Sequence, residues 1–351
     1  MGTPELADLG GWRAVLTKLA TARPLDPDEA YAAMVDILSG QAQPAQIGAF
    51  LIGLRQKGET ADEMAAFTRA VLAFAEPLDI DGDAVDTCGT GGDGSGSLNV
   101  STIAAFVVAG AGVTVVKHGN RAASSRAGSA DVLGALGVVT DLPPGSVRKC
   151  VEEAGMGFCF APRFHPAFRH VGPVRQALGI PTVFNFLGPL ANPARVPFQV
   201  VGVSDPKMAP KMALVLRSNG VRRAMVVYGS DGLDELSTTA PSTVVEVSAA
   251  EAHSKVFDVA AADLGLPTSD MASLKGGDAE DNAAIVRAVL SGTEGPHRHI
   301  VLLNAAAALV VTGRAGDFKD GIEVAAESID SGAASAVLDR LVRVSQRVAP
   351  A

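Results

Sequence analysis

A glycine-rich segment between residues 86 and 102 carries the clearest chemical signal in the sequence. It reads Asp-Thr-Cys-Gly-Thr-Gly-Gly-Asp-Gly-Ser-Gly-Ser-Leu-Asn-Val-Ser-Thr and leads into an apolar helix predicted to begin near Ser101. Glycines let a backbone turn sharply and bring bare N–H groups against an anion, and a helix start adds the positive end of its dipole. The segment therefore predicts a phosphate-binding loop.

Two other glycine-rich phosphate motifs fit less well. Gly89, Gly91 and Gly94 satisfy the G-x-G-x-x-G spacing. A dinucleotide fold also needs an acid about 20 residues further on, and residues 94–130 contain no Asp or Glu. The run does not end in Gly-Lys-Ser/Thr, as a Walker A loop would. From the glycines alone, a flexible surface loop is the remaining alternative.

Cations are concentrated in two acid-free stretches, residues 94–130 and 154–204. These cations are Lys117, Arg121, Arg126, Arg163, Arg169, Arg175 and Arg195. We expect the two stretches to line one anion-binding cleft. Buried elements of an α/β core also lack acids, but that alternative leaves the seven cations unexplained.

Acidic residues return in the segment Asp231-Gly-Leu-Asp-Glu235, directly after an apolar run that ends at Tyr228. If that run is a strand of an open α/β sheet, the acids lie at its carboxyl end, where ligands bind in such folds. Mg²⁺ takes one or two carboxylates and completes its shell with water and substrate phosphates. The pair Asp234 and Glu235 therefore predicts a magnesium site, with a solvated acidic turn as the alternative.

The elements that must position these groups are read from periodicity and caps. Residues 1–76 predict only helices: one from Pro27 to Gly40, one from Pro44 to near Gly58, and one that begins with a Thr60/Glu63 capping box and ends before Pro77. Short loops between them indicate a small antiparallel bundle.

After residue 84 the pattern changes to short apolar runs separated by helical segments. The runs are Ala84–Cys88, Val113–Val116, Phe198–Val203, Ala224–Tyr228 and Thr243–Val247, and helices return over 282–346. This alternation predicts a mainly parallel sheet covered by helices. The predicted fold is α/β, with a small all-helical N-terminal domain (1–77) joined to a larger domain (78–351).

Composition excludes several other classes of protein. The chain has 29 basic and 38 acidic residues and a net charge of −9, so it is poorly suited to bind nucleic acid or an anionic membrane. The three cysteines, Cys88, Cys150 and Cys159, are too few and too irregularly spaced for a disulfide framework. A reducing cytoplasm is therefore expected.

These motifs resemble the anthranilate phosphoribosyltransferase family. The resemblance covers nearly the whole chain and rests on Gly89-Thr-Gly-Gly-Asp93, Asn99-Val-Ser-Thr102, Lys117-His-Gly-Asn-Arg121, Ser124-Ser125, Gly128-Ser-Ala-Asp-Val-Leu133, His165-Pro166, Pro173-Val-Arg175, Phe184-Asn-Phe-Leu-Gly-Pro-Leu-Ala-Asn-Pro193, Asp231-Gly-Leu-Asp-Glu235, Gly276-Gly-Asp-Ala and the Asn304-Ala-Ala helix. Cys88 stands where an aliphatic residue is more usual and Phe186 where Leu is common. Neither departure removes a polar functional group.

The resemblance implies transfer of ribose 5-phosphate from phosphoribosyl pyrophosphate (PRPP) to the amino group of anthranilate, with release of pyrophosphate, in tryptophan biosynthesis. It also implies two Mg²⁺ ions, a small helical domain completed by a segment around 165–182, and a homodimer formed through the helical parts. No general base is assigned, because the aniline nitrogen is nucleophilic in its neutral form. Lys117 and Arg175 are candidate electrostatic or positioning groups.

The resemblance also assigns roles to residues. Those implied to hold PRPP are Gly89, Thr90, Gly91, Gly92, Asp93, Ser97, Asn99, Val100, Ser101, Thr102, Lys117, His118, Gly119, Asn120 and Ser129. Those implied to face anthranilate are Gly89, Asn120, His165, Arg175, Gly188 and Pro189. The implied metal ligands are Ser101, Asp234 and Glu235, and the stretch from 120 to 129 is implied to fold over PRPP.

Two rival functions are weaker. Pyrimidine nucleoside phosphorylases also have a glycine-rich loop and a Lys-His pair, but they join them as Lys-His-Ser-Thr-Gly-Gly, whereas Lys117-His118 lies well after the glycines here. A nucleic-acid-binding relative of the same fold would favour exposed basic stripes and loss of the acidic pair. Asp234 and Glu235 are present and the net charge is negative.

Overall fold

The computed structural model describes residues 4–122 and 126–350. The α-helices in these ranges are α1 Gly11–Ala20, α2 Pro27–Leu38, α3 Pro44–Lys57, α4 Ala61–Ala73, α5 Val100–Gly110, α6 Ser129–Ala135, α7 Pro144–Ala154, α8 Ala161–Phe164, α9 Gly172–Leu178, α10 Phe184–Leu190, α11 Ala209–Ser218, α12 Ala279–Leu290, α13 Pro296–Val311, α14 Phe318–Asp330 and α15 Ala333–Val348. The strands are β1 Val85–Gly89, β2 Val115–Gly119, β3 Met156–Phe160, β4 Phe198–Gly202, β5 Arg223–Gly229, β6 Ser242–Ser248 and β7 Lys255–Val259.

The strands form one sheet in the order β3-β2-β1-β4-β5-β6-β7. The strands from β3 to β5 run parallel, and β6 and β7 add an antiparallel edge. From β1 the chain moves outward to β2 and β3, and it then returns to place β4 on the other side of β1. The strand order therefore reverses between β1 and β4, and in open α/β sheets ligands bind at the carboxyl ends of the strands at such a point.

The predicted N-terminal helices are confirmed, and their caps explain why. Helix α2 begins at Pro27 after Asp26, where a proline costs no hydrogen bond. Helix α4 begins with the predicted capping box, in which Thr60 Oγ1 accepts from the Glu63 amide at 3.2 Å and a Glu63 oxygen accepts from the Thr60 amide at 2.8 Å. The mainly parallel sheet covered by helices is also confirmed.

Two strands were not predicted from the sequence. Strand β3 is buried along its whole length between β2 and the covering helices, so its apolar run has no alternation to distinguish it from a buried helix. Strand β7 is an edge strand whose residues are mostly exposed, and its polar content resembles a loop. Strand β2 also starts later than predicted and continues through Lys117 to Gly119.

The two faces of the sheet are covered by different sets of helices. Helices α5, α7, α12, α13 and α15 bury one face, and α10 and α11 cover the other, where the N-terminal helix α4 packs on them. The segment after β3 packs on the N-terminal helices. In one of these contacts, Arg55 of α3 donates to the Pro181 carbonyl at 2.9 Å. No helix within the described ranges is long and apolar enough to cross a membrane.

Candidate active site

A pair of glycines marks the point where the strand order reverses. Gly89 ends β1, Gly202 ends β4, and the two are direct neighbours in the sheet. The chain around Asp234 crosses both of them. A Cβ on Gly202 would lie 1.5 Å from the Asp234 carbonyl oxygen, and a Cβ on Gly89 would lie 2.5 Å from Asp234 Oδ2. Only glycine at both positions lets the acidic turn after β5 reach the end of β1.

The phosphate loop begins at this glycine pair. Gly91, Gly92, Gly94 and Gly96 all have φ between 63° and 78°, a conformation that side chains other than glycine rarely adopt. The Gly91 amide donates to Asp234 Oδ2 at 2.7 Å, so the loop and the acidic turn are in direct contact. Asn99, which precedes α5, donates to the Ala127 carbonyl at 3.2 Å, and its buried Oδ1 atom has no hydrogen-bond partner among residues 4–122 and 126–350.

The start of α5 joins the loop to the acidic pair and to a lysine. The Ser101 amide donates to Glu235 Oε1 at 3.2 Å. The Lys117 ammonium, buried in the middle of β2, donates to Ser101 Oγ at 3.2 Å and also to the Thr87 carbonyl. A helix start, a carboxylate and an ammonium therefore meet around Ser101, where an anion and a cation could both be held.

The carboxylates at this site are electrostatically crowded. Asp234 and Glu235 keep some exposure to solvent, but the surrounding protein removes most of their hydration. Burial and the nearby Asp93 raise the pKa of Asp234 to about 6, and burial and Asp234 raise the pKa of Glu235 well above its usual value. Within the described residues, one buried oxygen of Asp93 has no donor to accept from. A divalent cation would relieve this repulsion, so the donor set fits Mg²⁺.

The protein side chains do not enclose a metal ion by themselves. Within residues 4–122 and 126–350, no three His, Cys, Asp or Glu side chains converge closely enough to hold one. The remaining ligands would come from the Ser101 hydroxyl, water and phosphate oxygens, which is how Mg²⁺ is usually bound beside phosphates.

Asn304 holds the acidic turn in place, a role that the sequence analysis did not assign. This buried residue of α13 accepts from the Leu236 amide at 2.9 Å and donates to the Leu236 carbonyl at 2.8 Å. Asp231, in contrast, caps its own turn by accepting from Ser237 Oγ at 2.5 Å. The position of Glu235 therefore depends on a helix far along the chain.

Asp86 and Asn192 lie beneath Lys117 and were also missed. Asp86 is fully buried in β1 and accepts from Asn192 Nδ2 at 2.8 Å and from the His118 amide at 3.2 Å. Burial raises the pKa of Asp86 to about 6, and the charge of Lys117 offsets part of this rise. Asp86 begins the glycine-rich segment and Asn192 lies within the motif at 184–193, but neither was assigned a role.

Aromatic and imidazole rings form a mostly buried row beside Gly188. His118 Nδ1 lies 3.0 Å from the Gly188 carbonyl, and the ring centroids of His118 and His165 are 5.0 Å apart. His165 stacks on Phe168, with centroids 5.1 Å apart. Phe168 meets Phe184 edge to face at 5.4 Å. These contacts build an apolar wall suited to a flat aromatic molecule.

Arg175 lies beside Phe184, at one end of this row of rings. Its guanidinium carbon lies 5.5 Å from the centroid of the Phe184 ring, and Nη2 donates weakly to Asn185 at 3.4 Å. In the described part of the chain it forms no ion pair with an acid. Burial lowers the pKa of the guanidinium below its usual value. Arg175 is therefore a half-buried cation without a carboxylate partner, beside an apolar surface.

Both imidazoles are kept neutral. Burial, with His165 as a further cause, lowers the pKa of His118 to about 3, and burial lowers the pKa of His165 to about 4. Neutral rings can line an aromatic binding surface, but they are poor acids at pH 7.

The other predicted site residues have different surroundings. Val100 and Thr102 are buried in α5, so only their backbone could meet a ligand, and Pro189 is buried in α10. Asn120 is exposed after β2, and its carbonyl accepts from Ser129 Oγ at 3.3 Å. Thr90, Ser97 and Gly119 lie on the loop and at the end of β2. Ser124 and Ser125 fall outside the described residues.

The expectation that seven cations line one cleft is wrong for Arg195. This residue precedes β4, and the amino end of a parallel strand lies at the edge of the sheet opposite the site. Arg121 follows β2 at the correct edge, where its guanidinium lies 5.8 Å from the Phe160 ring centroid and 3.7 Å from Asp131. A lack of acids along the chain does not show which edge of the sheet a cation occupies.

Comparison with known proteins agrees with this architecture. A family model described as "Glycosyl transferase family, a/b domain" matches residues 81–335, and one described as "Glycosyl transferase family, helical bundle domain" matches residues 13–75. The fold is thus that of a two-domain glycosyl transferase. Curated relatives identify the family within this class.

Anthranilate phosphoribosyltransferases from Rhodopseudomonas palustris and Roseiflexus castenholzii are 51% and 50% identical to the chain, and each comparison covers 95% of this chain and 98% of the relative. The chain belongs to the anthranilate phosphoribosyltransferase family. Among solved structures, the enzyme from Thermus thermophilus matches with a TM-score of 0.89 at 42% identity, covering 95% of this chain and 99% of that one. The Saccharomyces cerevisiae enzyme in complex with PRPP and Mg matches with a TM-score of 0.87 at 30% identity, covering 96% and 98%.

Proposed function

We propose that this protein transfers the 5-phosphoribosyl group of PRPP to the amino group of anthranilate, giving N-(5-phosphoribosyl)anthranilate and pyrophosphate in tryptophan biosynthesis. The contact of Asp234 with the Gly89–Gly202 pair is the observation that carries this proposal. This contact joins the glycine-rich loop and the acidic turn at the carboxyl ends of neighbouring strands. A phosphate cradle and a cation site in direct contact suit a substrate that carries a pyrophosphate leaving group.

The reaction breaks the bond between C1 of ribose and the pyrophosphate oxygen, and the electron pair leaves with pyrophosphate. The amine nitrogen forms the new bond to C1 and then loses a proton to solvent. Positive charge builds on the ribose ring and negative charge on the leaving group. The amides of the loop, the start of α5 and Lys117 would stabilise the anion, and the contact of Lys117 with Ser101 at 3.2 Å supports this role. Bound Mg²⁺ would neutralise further charge on pyrophosphate.

The proposed metal ligands are Ser101, Asp234 and Glu235, and two ions are proposed per chain. The crowding of carboxylates around Asp234 supports a cation there. The proposed PRPP contacts are the loop from Gly89 to Asp93, with Asn99, Ser101 and Lys117. The Asn99 oxygen without a partner supports a polar ligand at the start of α5.

The proposed anthranilate surface runs from His118 to Arg175. Its aromatic part suits the benzene ring of the substrate, and the unpaired guanidinium of Arg175 suits its carboxylate. A solved structure of the Saccharomyces cerevisiae enzyme is in complex with 4-fluoroanthranilate, at 28% identity and a TM-score of 0.86. No residue is proposed as a general base.

We also propose a homodimer formed through the helical parts and a cytoplasmic location. Ile52 and Ile180 are large apolar side chains with 40% and 43% exposure. The segments that carry them adjoin, because Arg55, less than one helical turn after Ile52, donates to the Pro181 carbonyl at 2.9 Å. An exposed apolar patch of this kind supports self-association. Three buried free cysteines support a reducing compartment.

The test is a fluorescence assay of anthranilate consumption by the purified protein with Mg²⁺, with and without PRPP. We expect anthranilate to disappear only when PRPP is present. Turnover of thymidine with inorganic phosphate, and none of anthranilate, would instead assign the protein to the nucleoside phosphorylases.

A further inference from the structure

The segment Leu274–Gly277 lies against the second half of the phosphate loop. The Leu98 amide donates to the Leu274 carbonyl at 3.0 Å, and the Gly276 amide donates to the Gly96 carbonyl at 3.0 Å. Between these two bonds, Ser97 and Lys275 form an antiparallel bridge. We call Leu274–Gly277 the backing segment, because it runs as a short extra strand behind the loop.

Close packing against the loop requires glycine at position 276. A Cβ on Gly276 would lie 2.9 Å from the Leu98 Cα and 3.0 Å from the Ser97 carbonyl oxygen. The segment also leads directly into α12, whose first turn is capped by Asp278. The backing segment therefore supports the phosphate loop, and the N-terminus of α12 in turn fixes the position of the backing segment.

Lys275 adds a side-chain contact between the backing segment and the phosphate loop. Its ammonium donates to the Ser95 carbonyl, and it forms no ion pair with an acid in the described ranges. The Ser95 amide donates to Asp93 Oδ1 at 3.1 Å, and Ser95 Oγ donates to Ser97 Oγ at 3.1 Å. Lys275 thus holds the turn that orients Asp93 and Ser97.

We propose that Lys275 is a positioning residue for PRPP, which acts through Ser95 to hold residues 93–97 in the shape that receives the phosphates. This inference rests on the function proposed above. A glycine-rich loop loses much conformational entropy when it is ordered, so a loop that is held in shape before binding loses less of it when the ligand binds. Anthranilate does not contact this part of the loop in the proposed arrangement, and its binding is expected to be unaffected.

The test compares Lys275→Met with Lys275→Arg, and uses Lys319→Met as the control for an exposed lysine on α14. PRPP binding is measured by calorimetry with Mg²⁺, and KM is measured for each substrate. Lys275 is itself exposed, so loss of its charge-assisted hydrogen bond predicts that Lys275→Met raises Kd and KM for PRPP about threefold to tenfold, with kcat and the anthranilate KM within about twofold of wild type. Lys275→Arg should restore most of the PRPP affinity, and Lys319→Met should resemble wild type.

Unchanged PRPP affinity in Lys275→Met would overturn the inference, and so would an equal rise of both Michaelis constants. A failure of the proposed function is distinguishable, since a wild-type protein that binds PRPP but does not consume anthranilate would overturn the function alone. The calorimetric comparison would then still decide the role of Lys275.

Discussion

Arg175→Ala should weaken the use of anthranilate and leave the use of PRPP nearly unchanged. Arg175 is half-buried, touches the Phe184 ring and has no acidic partner in the ranges that the structure describes. A carboxylate that pairs with its guanidinium would gain a charge-assisted hydrogen bond, for which about 1.5–3 kcal/mol is typical. Partial exposure reduces this gain, and we expect about 2 kcal/mol, which corresponds to a roughly thirtyfold rise of KM for anthranilate.

Steady-state kinetics with each substrate varied at saturating levels of the other is the assay. Arg175→Lys keeps the charge but loses the planar fork, so its KM for anthranilate should fall between those of wild type and Arg175→Ala. Arg169→Ala is the matched control, because Arg169 is exposed nearby and its guanidinium donates to His170 Nε2 at 3.3 Å. Equal increases of the two Michaelis constants in Arg175→Ala would refute the assignment of Arg175 to the carboxylate of anthranilate.

Three further predictions concern the acidic turn and the imidazoles. Asp234→Asn combined with Glu235→Gln should lower Mg²⁺-dependent turnover at least about a hundredfold, because the amides cannot neutralise a divalent cation. The melting temperature should not fall, because the amides keep the shape of the side chains and remove the repulsion between their charges. If the dependence of turnover on Mg²⁺ concentration is unchanged, the acidic turn is not a metal site. Gly202→Ala should lower turnover by a similar factor, because its Cβ must displace the Asp234 backbone. Gly134→Ala should leave turnover unchanged, because there is open space around Gly134. The folded-state pKa of His165, about 4, lies below its unfolded value, so its contribution to stability is present above pH 6.5 and is lost as the pH falls toward 4. Urea unfolding of wild type and His165→Phe should therefore diverge by about 2 kcal/mol between pH 7 and pH 5, and parallel pH profiles would contradict a buried neutral imidazole.

Much of the local structure could be predicted from the sequence, because it depends on residues a few positions apart. The Thr60/Glu63 capping box and the proline at the start of α2 determine where helices begin, and both are present in the structure. The loop glycines were predicted from the same kind of local signal, and they do adopt positive φ values. Strand β3 was missed because complete burial removes the alternation that identifies a strand.

The sequence predicted the functional groups of the candidate site one by one, but it did not predict their arrangement. The sequence contained a phosphate loop, an acidic pair and a set of cations, but it could not show which of them meet. Arg195 illustrates the limit, because it shares the acid-free stretch with Arg175 and yet precedes β4 at the opposite edge of the sheet. The direction of the neighbouring strand, a property of the sheet, decided its place.

The composition, the caps and the order of motifs were determined by the sequence alone. The contacts that hold the site together were decided by the tertiary structure, as Asn304 on Leu236, Asp86 on Asn192 and Lys275 on Ser95 show. Each joins residues far apart in the chain, and the sequence around each polar side chain does not show which partner it contacts. A buried polar group needs a partner, and that partner is known only when the reversal of strand order between β1 and β4 brings distant segments to one edge of the sheet.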